Sequence, residues 1–283
     1  MTIAALAYKF LSYLSGNNEA IMRTLITLLL IAAASFATAQ THDELFKNGV
    51  SHINSKEYEK AARCLEQALG MAGNAEKFAT LSALAYAQLM SGNAHKALEN
   101  YNKALEIKEG DRQLLFQRAG AFMQLGLTEQ AIEDYSSVLR ADPENMDAII
   151  LRAQAYSIKG DYKKAHEEFS RAIAIEPQNM NAKMGLVLLY QEQEKYNEAM
   201  VLINLLIEEQ PGSAPLYIAR SNIEREQGQY ELALMDIAKA IEIEPENASY
   251  YTLQSILYEK TGNTSAAEKS KNKATVLQQK LTK

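Results

Sequence analysis

Apolar residues in this chain recur at steps of three and four, the mark of a helix with one buried face. Within residues 146–179, Ile149, Ala153 and Tyr156 form one such stripe, and Ala165, Phe169, Ala172 and Ile175 form a second. Between them, Gly160 fits the left-handed residue that ends a helix, because it has no Cβ to clash. Asp161 can cap the helix that follows. Pro177 closes the second stripe, since proline disfavours helical backbone in the residue before it. The segment predicts two helices joined by a tight turn.

The same punctuation returns along the chain. Pro143, Pro177, Pro211 and Pro245 are each 34 residues apart, and Ala97, Ala131, Ala165, Ala199, Ala233 and Ala267 keep that step. Gly92, Gly126, Gly160, Gly228 and Gly262 fall on the same period, while Ala61 precedes Ala97 by 36 residues. Asp111, Asn145, Asn179, Ser213 and Asn247 each stand just before a new helix, where a side-chain oxygen can satisfy an orphan N–H. Ala75 breaks that rule at the one irregular junction.

These positions resemble the tetratricopeptide repeat. Ala153, Gly160, Tyr162, Ala165, Phe169, Ala172 and Pro177 match the family pattern within one repeat. The resemblance covers seven repeats, at 42–75, 78–111, 112–145, 146–179, 180–213, 214–247 and 248–281. It implies an all-α fold, a right-handed superhelical α-solenoid of about seven helix–turn–helix repeats. Departures cluster in the fifth repeat, with Val187, Glu194 and Ile203 where a small residue, glycine and an aromatic are usual, which predicts different packing there. Lys271 takes the aromatic position of the last repeat, as suits an outer face that meets water.

Ahead of the repeats, residues 24–39 read TLITLLLIAAASFATA, without a charge. Arg23 before them and Ala37-Thr38-Ala39 after them give the order of a secretory signal peptide, cleaved after Ala39. The stretch is short of the ~20 apolar residues that a spanning helix wants. Residues 22–39 are therefore expected to be the signal, and residues 1–21 an extension from a misassigned start ahead of Met22. The expected location is the periplasm or the secreted space, with an anchor made by an uncleaved signal as the alternative. After cleavage no stable membrane insertion is expected.

Composition narrows the function. The net charge of −6 argues against nucleic acid as a partner. A single cysteine, Cys64, allows no internal disulfide or zinc pair and reads as a small buried hydrophobe. The four histidines are scattered, and no HExxH, GxSxG or phosphate-loop motif occurs. His166 precedes Glu167-Glu168, but neighbours in sequence do not face one another on a helix. Carboxylate doublets such as Glu133-Asp134 and Glu208-Glu209 read as solvated faces. No catalytic, cofactor or metal site is expected, and the chain reads as a non-enzymatic protein.

The family resemblance implies a concave groove lined by the first helix of each repeat. Carried over, its candidate partner-binding residues are Phe46, Val50, Tyr86, Leu89, Phe116, Met123, Ile150, Gln154, Met184, Leu188, Asn222 and Arg225. The first half is richer in apolar groups, which suits a protein or peptide ligand lying in a groove. Phe46 and Val50 stand where some family members carry the Lys and Asn of a two-carboxylate clamp, so an acidic C-terminal peptide is not the expected ligand. The reading is an exported scaffold or adaptor that binds protein or peptide in the groove, with a homo-oligomer through an end repeat also open. The alternatives are a signal-anchored cytosolic adaptor or co-chaperone, or an accessory subunit of an envelope enzyme complex.

Overall fold

The computed structural model describes residues 41–281. The expected start at Met22, the signal segment 22–39 and the cleavage after Ala39 lie outside the described residues. The described chain is built of helices, with no strand among the described residues, and divides into two compact units between Lys108 and Glu109. The first unit holds α1 (His42–Asn54), α2 (Tyr58–Met71), α3 (Asn74–Met90) and α4 (Ala94–Ile107). The second holds α5 (Arg112–Gln124), α6 (Thr128–Ala141), α7 (Met146–Ile158), α8 (Tyr162–Ile175) and α9 (Met180–Glu192). It continues through α10 (Tyr196–Glu209), α11 (Ala214–Glu226), α12 (Tyr230–Ile243), α13 (Ala248–Lys260) and α14 (Thr264–Leu281). Within each unit the helices pair and the pairs stack, giving an all-α repeat architecture.

Local chemistry sets where the helices start. Asp111, Asn145, Asn179 and Asn247 each accept a backbone N–H from the first turn of α5, α7, α9 and α13 at 3.0–3.2 Å. Ser213 makes no such bond; Pro215 in the first turn of α11 lacks a donor to satisfy and brings a pre-set φ. At the irregular junction α3 begins at Asn74, ahead of the Phe78 that opens the second expected repeat. There the Gly73 N–H donates to Glu76 Oε2 at 2.5 Å and holds an extra turn.

The turns inside the pairs share one backbone conformation. Gly92, Gly126, Gly160, Gly228 and Gly262 have φ between 70° and 83°. Glu194 in the fifth repeat and Lys56 in the first adopt the same left-handed form, at 57° and 59°. A side chain there costs about 1 kcal/mol, so the fifth repeat keeps the usual turn at some expense.

The cores rest on small residues. Ala119, Ala131, Ala153, Ala165 and Ala172 are sealed in one cluster with Tyr135 and Phe169. Gly185 serves the same end: a Cβ on it would lie 2.2 Å from Cε1 of Phe169. Val187 and Ile203 are fully buried, so the fifth repeat fills with aliphatic side chains the places where an alanine and an aromatic stand in the fourth. Cys64 is half-buried rather than buried.

Candidate functional site

The candidate groove residues all lie on first helices of the pairs, where steps of four and three keep them on one face. In the first unit Phe46 and Val50 on α1 are half-buried, Leu89 on α3 is buried, and half-buried Tyr86 meets Tyr58 edge-on at 6.4 Å. In the second unit Phe116 and Met123 on α5 are half-buried, and Phe116 meets Tyr135 edge-on at 5.7 Å. On α7, Ile150 is buried and Gln154 exposed. On α9, Met184 is half-buried, and Leu188 is 52% exposed although Val187 and Leu189 beside it are sealed. On α11, Asn222 and Arg225 are half-buried, and Arg225 bonds Glu226 at 2.8 Å.

A second set of side chains on the same helices went unread in the sequence. Arg118 grips Asp134 with two bonds of 2.7 Å, and Arg220 grips Asp236 in the same way. Arg152 bonds Glu168 and, at 3.0 Å, Ser136 of the preceding pair. Arg220 likewise reaches Asn204 of the preceding pair at 2.8 Å. Gln254 accepts from Ser270 at 2.8 Å in the last pair. Each of these ties a first helix to its own second helix over 16 residues, and Arg152 and Arg220 also tie successive pairs. In the fifth repeat Leu186 and Leu202 take the corresponding places.

This rung corrects the reading of the carboxylate doublets. Glu133 is exposed, but Asp134 is only 4% exposed and ion-paired. Glu168 is half-buried against Arg152 rather than solvated. The signal was present as arginines at 118, 152 and 220 with an acid sixteen residues after each. His166 is half-buried too, its Nε2 3.2 Å from the Tyr190 hydroxyl.

One buried acid has no counterpart in the neighbouring repeats. Glu224 on α11 is 5% exposed, and its Oε2 meets no hydrogen-bond partner. Burial pushes its carboxyl up to about 7; the charge of Asp236 adds to the rise, and Arg220 opposes it. Among the described residues no group of three or more His, Cys, Asp and Glu is placed to hold a metal ion. No helix among the described residues is long and apolar enough to cross a membrane.

Family models described as tetratricopeptide repeat match residues 46–112, 116–179, 158–223 and 214–247. Among solved structures, a tetratricopeptide repeat protein from Parabacteroides merdae ATCC 43184 is similar over 84% of this chain and 94% of its own, at 25% identity and a TM-score of 0.72. A thermophilic TPR protein of Thermus thermophilus matches 64% of this chain and 98% of its own, at 18% identity and a TM-score of 0.53. PilF of Pseudomonas aeruginosa matches 70% of this chain and 90% of its own, at 17% identity and a TM-score of 0.53. The last two likenesses speak to fold alone. Among curated proteins, none matches this chain in sequence.

Proposed function

Because the chain belongs to the tetratricopeptide repeat family, we propose that it is a non-enzymatic scaffold of the cell envelope that holds protein or peptide partners against the first helices of its repeats. The observation that carries this reading is Leu188. A leucine 52% exposed between two sealed neighbours keeps apolar surface in water that a partner would cover. Gln154 one repeat earlier and the half-buried Asn222 one repeat later offer polar groups that can bond a peptide backbone. Half-buried Met184 and Met123 give flexible side chains that adapt to an apolar partner.

Export is part of the proposal, and it rests on the uncharged segment ending in Ala37-Thr38-Ala39. The mature protein is expected to begin at Gln40, which intact-mass measurement of the envelope fraction reads directly. A photo-crosslinking residue in place of Leu188 is expected to capture a defined partner that the same residue in place of exposed Lys163, on a second helix, does not. Equal capture from both places, or capture unchanged in a Phe116→Ala, Met184→Ala variant, would refute the groove.

A further inference from the structure

The outward faces of the last three second helices differ in kind. On α10, Val201 and Leu205 are 64% and 50% exposed; on α12, Leu232 and Met235 are 47% and 68% exposed. Arg220 stands between these helices, bonded to Asn204 on α10 and Asp236 on α12, so the four side chains belong to neighbouring elements. Beside Val201 and Leu205 a cavity of about 420 Å³ reaches Leu186, Tyr190 and Leu202. Single exposed apolar groups are ordinary, but two exposed apolar pairs on helices that Arg220 bridges, one pair beside a groove, have the form of an interaction surface.

Acids border that strip. Glu198 and Glu208 flank Val201 and Leu205 on the same face of α10, and Glu231 and Glu242 flank the apolar pair on α12; all four are exposed. Lys239, the base on that face of α12, is already bonded to Glu242 at 2.9 Å. Between Glu192 and Glu246, twelve acidic residues stand against four basic ones, a net of −8. From Asn247 to Lys283 the balance reverses, with six basic residues against two acidic ones, a net of +4. Four of those bases, Lys269, Lys271, Lys273 and Lys280, stand on α14. Lys269, Lys273, Val276 and Lys280 follow at steps of four, three and four, all exposed on one face. Lys273 lies 5.9 Å above the ring of Tyr251, at a cavity of about 680 Å³ that Tyr258 and Val276 also line.

We propose that the basic face of α14 in one copy of the chain docks on the acid-bordered apolar strip of α10 and α12 in a second copy. The lysines meet Glu198, Glu208 and Glu231, while Val276 and the Tyr251 and Tyr258 rings cover the strip. Because the two surfaces differ, the contact is head-to-tail, and each added copy leaves one free surface of each kind. The contact adds Tyr251 and Tyr258 of α13 to second-helix side chains and uses none of the groove residues named above.

Sedimentation velocity of the full chain tests this. Species larger than the monomer are expected to grow with concentration and to shrink as salt rises from about 50 to 500 mM, because exposed charges are screened. Lys269→Glu with Lys273→Glu removes the basic face, and Val201→Asp with Met235→Asp removes the strip. Each variant alone is expected to sediment as a monomer with native helical circular dichroism. An equimolar mixture is expected to restore a dimer and nothing larger, since each variant keeps the surface the other lacks. A wild-type chain that stays monomeric at every concentration overturns the proposal, as does an oligomer that survives in either variant or a mixture that restores no dimer.

Discussion

Glu224 occupies the place held by Tyr156, Tyr190 and Tyr258 in neighbouring repeats, and it brings a carboxyl where they bring a ring. Burial lifts that group to about 7 in the folded chain, from an ordinary value of 4.5. The folded protein therefore keeps a proton that the unfolded chain gives up between those values. Folding stability from this site is fully present below about pH 4.5, falls as the pH rises towards 7, and is level above that. Glu224→Gln preserves the shape and removes the charge. The variant is expected to melt above the native protein at pH 8, with the gap closing towards pH 5; thermal unfolding across that range checks it. No spacing rule in the sequence marks Glu224. The glycines of the turns are legible, because the left-handed backbone there favours them, and Glu194 shows that the fold imposes the conformation even where glycine is missing. Gly185 is not legible in the same way, because its role depends on Phe169 of the preceding pair reaching the bare Cα.

At the scale of helix pairs, the ion-pair rungs and the leucines of the fifth repeat are two solutions to one packing problem. Arg118 and Asp134 hold α5 to α6, and Leu186 and Leu202 stand in the same places on α9 and α10. Removing one member of a buried pair leaves the other charge without its partner and costs roughly 3 kcal/mol. Asp134→Asn is expected to show a loss of that order in urea unfolding. Arg118→Leu combined with Asp134→Leu is expected to lose far less, since two apolar groups of similar bulk can replace a buried pair. A double variant as damaged as the single one would mean that the arginine does more than pair. The helices themselves are legible from the period of 34 residues, and the caps Asp111, Asn145, Asn179 and Asn247 are legible as residue types. The rungs escape notice because they join residues sixteen apart across a turn, beyond any single-helix pattern. Burial on the groove face is equally hidden: Ile150 and Met184 hold the same position one repeat apart, yet the first is buried and the second half-buried.

In the molecule as a whole, helices in substantial contact are next or next but one along the chain among the described residues. That pattern makes stability a sum of pair terms and neighbour terms rather than a property of one shared core. Within the second unit, damage at one pair should then fade with distance along the stack. Gly185→Ala drives a methyl group into Phe169, between α8 and α9, at an overpacking cost of about 1–3 kcal/mol. Hydrogen exchange read by mass spectrometry is expected to quicken roughly tenfold or more in α8 and α9, since 1.4 kcal/mol is worth a factor of ten. It should quicken less in α7 and α10, which border α9, and least in α13 and α14. Equal acceleration from α5 to α14 would reveal a single cooperative unit, in which the repeat is a feature of ancestry and geometry but not of energetics.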